Sequence, residues 1–387
     1  MRDMPSTMRR ILGVLLALFA GAAAAQSYPS KPIRIVVPFT QGRCTGSRRR
    51  GCCWGGDGAR PPGLRHGVLR WLIIAMLAGA SLLVPPVVAQ TYPSKPIRLI
   101  VPFAPGGGSD VIARIIGQKL AETLGQQVIV DNRPGAGATI GTEFGVRAEP
   151  DGYTLTLITP SYAISPGLYP IKFDPLNDFT PVIHIAKGPL VVVVHPSLPA
   201  KSMRELIALI RAKPGQLAFG TAGQGTIIHL ATELFLDRAG LEMTHVPYKG
   251  GGPALTDLIA GQIPVVFATP QTGLPQAKAG RVRALAVTSA ERIAVEPDIP
   301  TIAESGVSGY EAINWHGLIG PKGLPRPIVD RINREAAKVI RMKEVEERLQ
   351  ADGVAPTGGT PEQFYALVRK EIAQWREVIA HAKVRIE

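Results

Sequence analysis

From Gln90 onward, short β-branched runs alternate with stretches whose apolar residues recur every three or four positions. Ile97–Phe103 is almost continuously apolar, the pattern of a strand covered on both faces. Ala104–Gly108 reads as a turn, after which Ser109 or Asp110 can cap a helix. That helix carries Val111, Ile112, Ile115, Ile116 and Leu120 on one face and stops near Gly125. Further strands are predicted over Gln127–Val130, Thr154–Thr159 and Leu190–His195, and a helix over Met203–Ala212. Leu217–Gly220 then repeats the opening design: a strand, the glycine loop Thr221–Gly225, and a helix with Ile227, Ile228, Leu230, Leu234 and Phe235. The strands His245–Tyr248, Pro264–Ala268 and Arg283–Thr288 and the helix Pro253–Ala260 continue the alternation. Beyond them the pattern turns helical over Pro327–Arg341, Val345–Ala351 and Pro361–Ala382. Strand–helix alternation with glycine loops at strand ends predicts an α/β fold with parallel-type sheets, and the length after Gln90 suits two lobes.

The first 89 residues have a different pattern. Arg9-Arg10, the apolar run Ile11–Ala20 and Ala23-Ala24-Ala25 form one export signal; Arg65, Arg70, Trp71–Leu83 and Val87-Val88-Ala89 form a second. Both apolar runs are too short for a stable membrane span. The stretch just after each signal is repeated too: Gln26–Thr40 and Gln90–Ala104 agree at 11 of 15 positions. After Thr40 no hydrophobic period remains, so residues 1–67 are expected to be a truncated, unstructured duplicate of the leader and 68–89 the signal peptide.

Charge changes the picture only by its position. The formal charge of +13 suggests a nucleic-acid partner, but residues 1–89 hold 12 Lys and Arg against 2 acids, and the remainder 31 against 28. The body is nearly balanced and has no basic stripe interleaved with aromatics, so no nucleic-acid partner is expected. Cys44, Cys52 and Cys53 all precede residue 90, which excludes disulfides and thiolate chemistry from the body.

Ligands of open α/β sheets bind beyond the carboxyl ends of strands, where free amides and the helix dipole favour anions. Phe103–Asp110 and Thr221–Thr226 are two such ends, and neither contains Lys or Arg. If each lobe supplies one, a carboxylate would be held by backbone N–H groups, hydroxyls and water. Asp110 is open to two roles, a helix cap or a side chain entering the cleft. Gly135, Gly137 and Gly141 do not fit a dinucleotide fingerprint, because Asp131–Pro134 intervenes after the strand. Arg133 there suits an ion pair or a turn contact. His184, His195, His229, His245, His316 and His381 show no metal-ligand spacing, so no metal and no cofactor are expected. There is no nucleophile elbow, zinc-protease motif or P-loop, and hence no assignable catalytic residue.

The stretches YPSKPIRLIVPFAPGGGSDVIAR, VDNRPGAGATIG, PDGYTL, FGTAGQGTIIHLATELF, VPYKGGGPALTDLIAGQI, RALAVTS and PDIPTIAESGVSGYE, with the closing helices, closely resemble the periplasmic receptors of tripartite tricarboxylate transporters, the Bug proteins. The resemblance runs over Gln90–Glu387. It implies a two-lobed, Venus-flytrap periplasmic-binding-protein fold of type II-like architecture. It further implies a soluble, exported, monomeric receptor that hands a small organic acid to permease subunits in the membrane. By motif, Phe103, Ala104, Gly106, Gly107 and Asp110 would line one side of the pocket, with Ser161 and Tyr162 bordering it. Thr221, Ala222, Gly223, Gly225 and Thr226 would line the other, with His229 in support and Thr269 nearby. Lobe one would take residues 90–190 and 313–387, lobe two residues 191–312, with Leu190–His195 and Arg283–Thr288 as crossing strands. Thr226 stands where serine is frequent, Ala138 where glycine is, and Ser308 where proline is. A sensor presenting the acid to a membrane histidine kinase is the alternative; an enzyme would rest only on the unassigned histidines.

Overall fold

Branched apolar runs form the buried strands, and the glycines after them let the chain turn into helices. The computed structural model describes residues 92–382. The tandem export signals, the repeated Gln26–Thr40 segment and the three cysteines lie outside the described residues.

β1 (Ile97–Val101) leads through the first glycine turn into α1 (Gly108–Leu124), then β2 (Val128–Asn132), α2 (Thr139–Val146), β3 (Thr154–Ile158) and the short α3 (Pro160–Ile164). The long β4 (Phe179–Pro189) runs almost directly into β5 (Val191–Val194). Next come α4 (Met203–Ala212), β6 (Ala218–Thr221), α5 (Ile227–Ala239), β7 (Thr244–Pro247), α6 (Gly251–Ile259), β8 (Val265–Ala268), α7 (Pro270–Lys278) and β9 (Arg283–Val287). β10 (Ile313–Pro321), α8 (Arg326–Val339), α9 (Lys343–Ala351), the two-residue β11 (Ala355–Pro356) and α10 (Pro361–Ala382) complete the described chain.

Two sheets result, ordered β11-β4-β10-β3-β1-β2 and β7-β6-β8-β5-β9. Both are mixed, which corrects the expectation of parallel sheets. β1 is parallel to β2 and β3, and β6 to β7 and β8, as right-handed βαβ units require. β10 is antiparallel to β3 and β4, and β5 to β8 and β9, because these strands arrive by crossing from one sheet to the other. Neither β4 nor β10 shows a clean period in sequence. Proline and glycine punctuate both, and their pairing shifts register at His316/Gly317 and Leu318/Ile319.

α1 buries Ile112, Ile116 and Leu120 against sheet one, each worth about 1.5–3 kcal/mol. It begins at Gly107, not at Ser109 or Asp110 as expected, and ends at Gly125, whose φ of 69° closes the last turn. α4 is capped as its sequence indicates: Glu205 N–H donates to Ser202 Oγ at 3.2 Å, and Lys201 N–H to the Glu205 carboxylate at 2.7 Å. α10 lays Phe364, Val368, Ile372 and Trp375 inward. The Phe364 ring lies directly on Gly317, leaving no room there for a Cβ.

The two crossings between sheets meet at Thr288, which is fully buried. Its N–H donates to Leu190 O at 3.0 Å, and its hydroxyl accepts from Leu190 N–H at 2.6 Å. The same hydroxyl donates to Ala312 O at 2.7 Å, and Ala312 N–H returns a bond to Thr288 O at 2.9 Å.

Candidate functional site

Five helices begin around one small cavity, because every strand–turn unit involved brings its carboxyl end to it. Gly107 and Gly250 open α1 and α6 without a side-chain cap. Thr159, Thr226 and Thr269 stand at the caps of α3, α5 and α7. Sheet-one elements contribute Phe103, Gly107, Gly108, Ser109, Thr159 and Ser161 to the lining. Sheet-two elements contribute Ala222, Thr226, Ile227, Ile228, Gly251 and Thr269, and Asn314 enters from β10. None of these residues carries a formal charge. The cavity measures about 30 Å³, room for one or two waters.

Elements of the two sheets meet closely around it. Ile227 N–H, the first amide of α5, donates to Ser161 Oγ at 3.2 Å. Ala104 N–H donates to Lys249 O at 3.0 Å, and Tyr169 Oη donates to Gln224 O at 3.0 Å. Thr269 packs on Gly108 so tightly that a side chain at 108 would collide with its hydroxyl. An outer groove of about 430 Å³ adjoins the cavity, lined by Gly106, Gly252 and Gln271 among others.

The expected site residues divide into three groups. Phe103, Gly107, Ser161, Ala222, Thr226 and Thr269 line the cavity. Ala104 and Gly106 lie at its edge, Ala104 in the contact with Lys249 and Gly106 in the outer groove. Thr221, Gly223 and Gly225 form the frame of the second loop without lining the cavity, and His229 supports it from α5. Gly223 O accepts from Thr226 N–H at 3.3 Å and from its hydroxyl at 2.7 Å, while Gly223 N–H donates to Thr221 Oγ1 at 3.2 Å. Gly225 N–H donates to His229 Nδ1 at 3.1 Å, so the proton of that ring sits on Nε2, facing Glu233 Oε1 at 3.4 Å. Phe219, His245 and His229 stack below, the two imidazoles 4.0 Å apart. Burial first, then the neighbouring His229, holds His245 down at about 3, so its ring is neutral where it bonds Thr221 Oγ1 at 2.7 Å.

Two expectations are corrected. Asp110 does not enter the cavity: Arg114 grips its carboxylate at 2.9 and 3.0 Å, and Gly106 N–H and Asn132 Nδ2 donate to it at 3.1 and 3.0 Å. Burial pushes that carboxyl up, but these donors outweigh it and hold it below the usual range. Nor does Tyr162 border the cavity. Its ring stacks on Phe173 and meets Phe179 edge-on in the core, and its hydroxyl donates to Pro175 O at 2.9 Å. Arg133 pairs with Asp131 at 3.0 Å and covers the Phe144 ring.

Sequence reasoning passed over Gly108, Ser109, Thr159, Gly251 and Asn314. Gly251 had a signal, since Lys249–Gly252 repeats the strand–glycine–helix design a third time. Asn314 had a fainter one, a polar residue opening the apolar run of β10. Among the described residues no cluster could hold a metal ion, and no helix is long and apolar enough to cross a membrane.

The family model described as "Tripartite tricarboxylate transporter family receptor" matches residues 112–384. Protein BugT of Bordetella pertussis is 37% identical over 318 residues, covering 81% of this chain and 98% of BugT. A UPF0065 protein from the tcbD–tcbE intergenic region of Pseudomonas sp. (strain P51) is 40% identical over 297 residues, 76% of this chain and 88% of its own. Among solved structures, periplasmic binding protein BugD superposes with a TM-score of 0.74 at 32% identity, covering 76% of this chain and all of BugD. R. palustris Rpa4515, solved with adipate, gives 0.74 at 37% identity, with 76% and 99% covered. MatC of Rhodopseudomonas palustris, with bound malate, gives 0.71 at 31%, with 74% and 100% covered. These neighbours are periplasmic binding proteins with the two-lobed fold, and the two sheets described above correspond to it.

Proposed function

Because this chain belongs to the tripartite tricarboxylate transporter receptor family, we propose that it is an exported receptor that closes on a small carboxylated metabolite and delivers it to a membrane permease. The observation that carries the reading is the uncharged cavity between the two sheets, ringed by helix starts from both. A carboxylate needs donors, and in the absence of Lys or Arg the amides at these helix starts are the available ones. Ser161 Oγ already accepts from the first amide of α5, which is the bond a carboxylate oxygen would make there. Adipate and malate in two solved relatives are small dicarboxylates, consistent with a ligand of this class.

On this reading lobe one comprises residues 90–190 and 313–387, lobe two residues 191–312, and the pair of crossings tied by Thr288 forms the hinge. Phe103, Gly107, Ser161, Ala222, Thr226 and Thr269 touch the ligand, and Thr221, Gly223, Gly225 and His229 hold the second loop in shape. Residues 68–89 direct export and are removed. No catalytic step is assigned.

A thermal-shift screen of organic acids on the purified mature chain tests the proposal. An acid at 100 times its Kd adds about 2.7 kcal/mol of stability, a shift of a few degrees in Tm. Gly107→Leu places a side chain against the Gly251 and Gly252 amides. It should abolish the shift while leaving the unliganded Tm nearly unchanged. A full shift in that variant would move the site elsewhere.

A further inference from the structure

Asn314 is 5% exposed, lines the cavity, and makes no side-chain hydrogen bond; its Oδ1 is fully buried. A buried amide oxygen without a donor is costly, and native structures keep few of them. Its surroundings specify what can satisfy it. Two residues along the same face of β10, the buried His316 places Nε2 3.3 Å from the hydroxyl of Ser109, a neutral polar group of the lining. A second carboxylate facing Asn314 could accept from Nδ2, but it would find no cation in the lining and would leave Oδ1 without a donor. An ammonium would find no anion, since Asp110, the acid nearest in sequence to the first loop, already has Arg114, Asn132 and Gly106 as donors. A methylene would leave Oδ1 unpaired.

A hydroxyl fits whichever way the amide is turned. It donates to Oδ1 and accepts from Nδ2. We infer that Asn314 is a specificity-determining residue that selects acids bearing a hydroxyl on the carbon chain over the same acids without it. The inference rests on the carboxylate-receptor reading above and adds the substrate class to it. A site built to bond a hydroxyl disfavours the analogue that lacks one, here by about 10- to 100-fold.

Isothermal titration calorimetry on matched pairs decides the point: malate against succinate, citrate against tricarballylate, lactate against propionate. At least one pair should bind, with the hydroxy acid favoured about tenfold or more. Asn314→Ala should reduce that ratio to about twofold by weakening the hydroxy acid alone. Asn314→Ser, which restores a donor and acceptor, should recover part of it. Equal affinities within every binding pair of the unsubstituted protein would overturn the role of Asn314, and would mean that water satisfies its amide. A ratio unchanged in both variants would overturn it equally. Binding by none of these acids or of the wider organic-acid panel would remove the carboxylate reading itself. If Asn314→Ala fails to fold, the ratio in the unsubstituted protein and the serine variant still decide.

Discussion

At the residue scale, His245 and His316 are used as neutral packing and hydrogen-bonding groups. Burial holds both His245 and His316 at about 3, with a second histidine nearby adding to each shift. An unfolded chain takes up these protons near pH 6.5, while the folded one resists them until about pH 3. Their contribution to stability is therefore full above about pH 6.5 and falls as the pH drops towards 3. His245→Phe keeps the stack between Phe219 and His229 but removes one such group. It should flatten the dependence of unfolding free energy between pH 6 and pH 4 by up to about 1.4 kcal/mol per pH unit. Urea titrations across that range would measure it, and an unaltered slope would show that His245 is not the group responsible. Loss of the bond to Thr221 should lower stability at pH 7 by about 1 kcal/mol in the same variant. Residue identity revealed which side chains could do chemistry, but not which were already engaged. Asp110 could be read as cap or ligand group until the Arg114 guanidinium was seen on its carboxylate.

Element by element, the local rules read well wherever one segment satisfies itself. The helix predicted over Met203–Ala212 has those bounds as α4, and Gly125 announced the end of α1. They fail for β4 and β10, whose stability comes from partners more than a hundred residues away in sequence, such as Thr180 Oγ donating to Pro321 O at 2.8 Å. The two crossings are joined through one side chain, so the hydroxyl of Thr288 is the element-level feature to remove. Thr288→Val keeps the shape while leaving Leu190 N–H and Ala312 O without that partner. A destabilisation of about 2 kcal/mol is expected. Faster amide exchange should appear at Leu190 and Ala312 before the rest of either sheet. Uniform protection with unchanged stability would mean that Thr288 is not what joins the crossings.

For the folded body as a whole, a cavity of about 30 Å³ is too small for a dicarboxylic acid, so entry requires the facing loops to part. Few bonds hold them: Ser161 to Ile227, Ala104 to Lys249, and Tyr169 to Gln224. A ligand that touches both sides stabilises the closed arrangement only by its differential affinity for it. Small-angle scattering should give a larger radius of gyration without ligand than with a binding acid. Tyr169→Phe, which removes one closing bond, should enlarge the unliganded value further. An identical radius in all three samples would exclude a hinged closure.

Alternation of apolar runs and glycine turns was enough, within the sequence, to determine an α/β chain and two of the helix starts that ring the cavity, because turn geometry and periodicity are properties of neighbouring residues. The family resemblance rested on those same local stretches. Packing alone decided the mixed direction of both sheets, the burial of Tyr162 and the capture of Asp110. It also set Asn314 on the cavity floor beside the contact between Ser109 and His316, which are 207 positions apart. Which way a side chain points, and whether its hydrogen-bonding capacity is already spent, depends on atoms that meet only when distant segments fold together.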